Sequence, residues 1–182
     1  MKIGIVSDTH GSITAWQKAF SLLNDSQLII HCGDVLYHGP RNPLPDGYQP
    51  QELVTALNAM TIPMVYSKGN CDAEVDQMLL EYPIEAPYVH LVIDGIRILV
   101  HHGHQFDGET VPAKLLRDNR LIISGHTHLP SIHQKDLTVF LNPGSPALPK
   151  NSPKVPTVAQ IIDRRIEILN LVDGSVVQSI SL

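Results

Sequence analysis

Seven side chains able to hold a divalent metal ion occur at one kind of place along this chain. Asp8 and His10, Asp34, Asn70, His102, and His126 with His128 each follow a short apolar run within a few residues. Imidazole nitrogens, carboxylate oxygens and one carboxamide form a mixed N/O donor set without thiolate. That set suits Mn, Fe, Co, Ni or Zn in five- or six-fold coordination better than a structural zinc, and manganese is the first expectation. Seven donors exceed what one catalytic ion uses while keeping a position open for water. They therefore imply two ions per chain, roughly 3.5 to 4 Å apart and sharing a carboxylate, a centre suited to activating water for hydrolysis.

The spacing adds a second constraint. Asp8-Thr9-His10 and His126-Thr127-His128 place donors at i and i+2, which face the same side in extended backbone. Gly33, Gly69, Gly103 and Gly125 flank the donors and are expected to let the chain turn and a substrate come close. Singly, His10 or His102 reads as an ordinary polar residue at a strand end, so the inference rests on the joint pattern. Asp72 reads equally as an outer support of the site or as the N-cap of a helix beginning at Ala73. His101 should point away from its neighbour His102, and His31, His90 and His133 read as core or surface residues. Cys32 and Cys71 read as small buried hydrophobes.

The elements that must position these donors alternate. Lys2 to Val6 predicts a strand, and Ser12 to Asn24 predicts a helix, with Ile13, Trp16, Phe20 and Leu23 on one face behind a Ser12 cap. Gln27 to Cys32 and Met64 to Ser67 predict strands on either side of a helix over Gln51 to Met60. The stretch Tyr37 to Gly47 is too rich in proline and glycine for regular structure. The second half reads as strands: Tyr88 to Ile93, Ile96 to Val100, Leu121 to Ser124, Val139 to Asn142, Val158 to Asp163, Ile166 to Leu171 and Val176 to Ile180. Asp94-Gly95 and Asp173-Gly174 signal hairpins. The class is α/β. Ligands in an open α/β sheet gather beyond the carboxyl ends of its strands, where five of these runs place their donors.

With 182 residues, 43% of them hydrophobic, the chain suits one domain over 1–182. A net charge of −5 disfavours long nucleic acids and anionic membranes as partners. No signal peptide, membrane span or disulfide framework is legible, so the cytoplasm is the expected compartment. The oligomeric state is open, and a homo-oligomer is compatible with the sequence.

Taken in order, Asp8-x-His10, Gly33-Asp34, Gly69-Asn70-x-Asp72, His102-Gly103-His104 and Gly125-His126-Thr127-His128 resemble the calcineurin-like metallophosphoesterase family. The likeness spans Asp8 to Ser145. It is nearest to the small bacterial YfcE-type phosphodiesterases, through His38-Gly39-Pro40-Arg41-Asn42, Asp76-Gln77-Met78-Leu79-Leu80 and Asn142-Pro143-Gly144-Ser145. The resemblance implies a four-layer α/β/β/α sandwich of two mixed β-sheets flanked by helices. It implies one ion on Asp8, His10 and His128, the other on Asn70, His102 and His126, and Asp34 as the bridge. His38, Arg41 and His104 become candidate substrate contacts, with Asp34, Asn70, His104 and Arg41 the catalytic set. Cys71 stands where many family members carry a histidine that protonates the leaving group. The substrate implied is a small phosphodiester. Beyond Arg41 the ligand-bearing segments supply only Lys68 as a cation, which also argues for a singly charged diester over a monoester. The competing expectation is a protein-binding scaffold that keeps this fold without useful catalysis.

Overall fold

A computed structural model describes residues 1–106 and 110–182. In chain order the elements are β1 (Lys2–Val6), α1 (Ile13–Leu23), β2 (Leu28–His31), α2 (Pro50–Asn58), β3 (Met64–Ser67), α3 (Glu74–Leu79), β4 (Ile84–Glu85), β5 (Val89–Ile93), β6 (Ile96–Val100), α4 (Ala113–Leu116), β7 (Leu121–Ile123), β8 (Ser131–Lys135), β9 (Thr138–Asn142), β10 (Thr157–Ile162), β11 (Arg165–Asn170) and β12 (Val176–Ser181). They form a seven-stranded sheet, β12-β11-β10-β1-β2-β3-β4, and a five-stranded sheet, β5-β6-β7-β9-β8.

Both sheets are mixed. β1, β2 and β3 run parallel in the first, with β10, β11 and β12 antiparallel beyond them. β6, β7 and β9 run parallel in the second, with antiparallel strands at both edges. Side-chain alternation sorts the core into layers. Ile3, Ile5 and Ile30 of one sheet pack against Ile98, Val100, Leu121, Ile123 and Leu141 of the other. Val6 and Ile29 face the opposite way, onto Trp16, Ala19 and Leu23 of α1 and Leu53 and Leu57 of α2. The outer face of the second sheet is covered more thinly, by Val111, Leu115 and Leu116 over Leu99, Ile122 and Phe140. The α/β class and the two helix-flanked mixed sheets agree with the sequence reading.

Local signals act where they are strong. Ser12 caps α1, its hydroxyl oxygen accepting the Ala15 N–H at 3.0 Å. At Asp94-Gly95 both residues are left-handed, with φ of 49° and 76°, which matches the twist of the β5–β6 hairpin. Ile93 lies opposite Ile96 there. No helix among the described residues is long and apolar enough to cross a membrane.

Candidate metal centre

Because β1, β2 and β3 are parallel, as are β6 and β7, the loops after these five strands leave their sheets at common edges and bring the donors together. The pairs do not converge in extended backbone, as the spacing suggested. Asp8, His10, Asp34, His126 and His128 all have positive φ, between 46° and 68°. That region is costly for residues with a side chain and concentrates at functional sites. The geometry splits one pair: Asp8 and His10 join His128 in one donor group, whereas His126 joins Asp34 and His102 in another.

In the first group Asp8 Oδ1 lies 3.6 Å from His10 Nε2 and 3.3 Å from His128 Nε2. The two histidine Nε2 atoms face each other at 3.2 Å. His10 Nδ1 lies 2.8 Å from the Tyr37 carbonyl and His128 Nδ1 2.6 Å from that of Leu148. A carbonyl only accepts, so both protons sit on Nδ1 and both Nε2 lone pairs point inward. His102 is held the same way by the Cys32 carbonyl at 2.8 Å, with Nε2 3.3 Å from Asp34 Oδ2. Asp34 Oδ2 also lies 3.8 Å from His10 Nε2, so it touches both groups.

Each carboxylate has one oxygen fixed by protein and one turned inward. Asp8 Oδ2 accepts the Ser7 hydroxyl at 2.6 Å and the His126 N–H at 3.0 Å, and Asp34 Oδ1 accepts the Cys71 N–H at 2.7 Å. Asp8 Oδ1 and His102 Nε2 are buried without a hydrogen-bond partner. Orphaned buried polar atoms are costly, and converging lone pairs are satisfied by a cation. The residues present therefore fit a bound metal.

Titration reflects the same demand for positive charge. Burial pushes the Asp8 carboxyl up, but His10 and His128, whose protonated rings add an inward Nε2–H where a metal would otherwise sit, outweigh it and leave it well below the usual range. Burial pushes His102 down, and Asp34 and Asp8 more than reverse this, raising it to about 9. His126 is half-buried and is pushed down, first by burial and then by His102.

Three findings concern the supports. Asp72 is no helix cap: Ala73 occupies that position, its N–H bonded to Asp76 at 2.9 Å. Asp72 instead accepts the N–H groups of Asp34, Val35 and Gly69 at 2.9, 2.8 and 2.7 Å, tying the β2 and β3 exits together. Gly69 and Gly125 do permit a close approach, and the groups that come close are the Asp34 and Asp8 carboxylates. A Cβ at Gly69 would overlap Asp34 Oδ1, and one at Gly125 would overlap Ser7 and crowd Asp8 Oδ2. The third is Cys71, which is no buried hydrophobe. It is half-buried beside His10 and Asp34, its thiol pushed up to about 12 by burial and by the Asp34 charge.

A cavity of about 410 Å³ opens over the donors, lined by Asp34, Arg41, Asn42, Asn70, His126, His128 and Lys150 among others. Asn70, exposed, and Arg41 thus line the cavity. His38 does not line it; its ring is wedged edge-on against Tyr37 and Tyr48, at 4.7 and 5.2 Å. His104 is exposed, with its ring 5.5 Å from His102 and 6.3 Å from His126. Lys68 pairs with Glu74 at 3.0 Å, and the cation missed in the sequence is Lys150. Asn142 and Ser145 were also missed as supports. The Asn142 amide donates to the Gly125 carbonyl at 2.8 Å, and the Ser145 hydroxyl to the Asp8 carbonyl at 2.8 Å.

Residues 1–163 match the model of the calcineurin-like phosphoesterase superfamily domain. The chain belongs to that superfamily. It is 38% identical over 185 residues to the phosphodiesterase YfcE of Escherichia coli K12, covering all of this chain and 98% of the relative. The solved structure of E. coli YfcE, described as a phosphoesterase, superposes with a TM-score of 0.92 at 36% identity, covering 100% of this chain and 99% of that one. Vacuolar protein sorting 29 from Cryptosporidium parvum shares the fold at a TM-score of 0.68 and 19% identity, covering 100% and 98% of the two chains. Both solved structures therefore share the two-sheet frame of this chain.

Proposed function

We propose that the chain is a metal-dependent phosphodiesterase holding two divalent ions, with manganese the first choice. Asp8, His10 and His128 hold one, Asn70, His102 and His126 the other, and Asp34 is shared. The observation that carries this reading is the inward convergence of buried donor atoms, Asp8 Oδ1 and His102 Nε2 among them, that have no protein partner. The position of Asp34 Oδ2, near both His10 and His102, supports the sharing.

When bound, such ions lower the pKa of a water molecule and offset charge developing on the phosphoryl oxygens. The chain's own residues prepare for this. The carbonyls of Tyr37, Leu148 and Cys32 keep three imidazoles in one tautomer, so nothing reorganises as charge develops. The Arg41 guanidinium matches phosphate oxygens in fork geometry, and the exposed His104 lies beside His102 and His126. Cys71 offers only a half-buried thiol, a weak donor, where a departing alcohol needs a proton, so aryl esters should outrun alkyl esters.

The diester reading draws on the name of the E. coli relative and not on a scarcity of cations, because Lys150 lines the cavity. Two unpaired cysteines support a reducing, cytoplasmic setting. The scaffold reading rests on shared fold alone. The test is hydrolysis of an aryl phosphodiester by metal-free protein with each divalent ion added back. Turnover rising to a plateau near two equivalents of manganese is expected; no turnover with any ion would refute the reading.

A further inference from the structure

Two cationic side chains line the cavity, and each is carried by a segment anchored to one of the two facing histidines. The Arg41 segment is tied to His10 through the Tyr37 carbonyl at 2.8 Å, and the Asn42 amide closes that loop on the His38 carbonyl at 2.9 Å. The Lys150 segment is tied to His128 twice. The Leu148 carbonyl accepts from His128 Nδ1 at 2.6 Å, and the Lys150 N–H donates to the His128 carbonyl at 3.2 Å. Behind it, Ser145 accepts the Leu148 N–H at 2.8 Å while donating to the Asp8 carbonyl. The Lys150 backbone is thus positioned by the metal ligands themselves, and its side chain is exposed at the cavity.

We propose that Lys150 is a second cationic contact to the substrate phosphoryl group, and that it sets how well the site accepts a doubly charged phosphate beside a singly charged one. This rests on the phosphoesterase reading above. The two cations differ in kind. A guanidinium fork recognises the shape of phosphate, whereas an ammonium on a flexible stem acts as a point charge. A point charge rewards the second negative charge of a monoester or of inorganic phosphate, which a diester lacks. Among the described residues, no ion pair neutralises Lys150.

The test compares manganese-loaded wild type, Lys150→Met and Lys150→Arg. Lys150→Met should lower kcat/KM on an aryl monoester roughly tenfold and on the matching diester no more than about threefold, and should weaken inorganic phosphate binding by calorimetry roughly tenfold. Metal content should not change, and Lys150→Arg should restore most of the phosphate affinity. Equal losses on both esters accompanied by lost metal would make Lys150 a structural support of His128 and overturn the assignment. An unaltered phosphate Kd in Lys150→Met would also overturn it, whatever the turnover. Wild type that binds phosphate through Lys150 yet cleaves no ester would instead remove the phosphoesterase reading and leave this contact standing.

Discussion

The donor group of Asp8, His10 and His128 differs from that of Asp34, His102 and His126 in how its members are held. Every member of the first is buried, and each has its non-ligating atom fixed by a carbonyl, a hydroxyl or a backbone N–H. In the second, Asp34 and His102 are fixed likewise, but no hydrogen bond among the described residues fixes the His126 ring, which lies beside the rings of His102 and His104. Asn70, proposed to join that group, is exposed, its amide 3.3 Å from the Cys71 sulfur. Outer partners typically contribute about 10 to 100-fold to metal affinity. The lesson is that the two sides differ both in charge, a private carboxylate at Asp8 against a neutral amide at Asn70, and in preorganisation: the first position should bind tightly and the second exchange.

The largest effect should come from removing the residue that touches both sides. Asp34→Asn is expected to lower turnover by more than the roughly 100-fold typical of an outer partner and to reduce metal content at both positions, read by elemental analysis. An active Asp34→Asn protein would end the shared-carboxylate account. Next come paired losses: after dialysis against a weak chelator, His126→Asn should retain about one ion per chain, as wild type does under the same conditions, and His10→Asn none. Retention of two ions by wild type, or of one by His10→Asn, would erase the asymmetry. Asp72→Asn should weaken metal binding by about 10 to 100-fold, because the β2 and β3 exits lose their common acceptor; an unchanged affinity would confine Asp72 to fold stability.

The smallest effect concerns His31, behind the first group. Gly33 N–H donates to its Nδ1 at 3.2 Å, so its Nε2–H donates to Thr9 Oγ1 at 2.9 Å, and burial pushes it down to about 3. A depressed histidine favours the folded state fully above its ordinary value of 6.5, and this contribution is lost as pH falls from there towards 3. Metal-free wild type should therefore lose up to about 1.4 kcal/mol per pH unit on this account. His31→Gln should shallow that acid limb in thermal denaturation. A limb of equal slope in both proteins would detach His31 from it.

Much of this was legible in the sequence, for physical reasons. Donors placed directly after buried apolar runs reach the carboxyl edge of a parallel sheet wherever the strands pair, and Ser12 and Asp94-Gly95 act within a few residues. What was illegible depended on distant contacts. β8, with His133, Gln134 and Lys135 exposed, lacks apolar alternation and exists because β9 pairs with it. The two-residue β4 exists only against β3. Nothing in Asp8-Thr9-His10 reports a left-handed backbone, since φ there is set by hydrogen bonds to the Gly33 and Asp34 carbonyls at 3.0 Å. Lys150 follows His128 by too many residues for spacing to connect them.

Five left-handed donors have a consequence for how such a protein changes over many generations. Each non-glycine residue in that region costs on the order of 1 kcal/mol, less for Asp and His than for bulkier side chains. Replacing His10 or His128 with glycine would relieve that cost and remove one of the two lone pairs that face each other at 3.2 Å. Metal binding, as proposed, and an unstrained backbone therefore pull in opposite directions at the same residues. A duplicate copy freed from the need for metal would shed that backbone strain only by emptying buried positions, so the strained turns are expected to outlast the chemistry they serve.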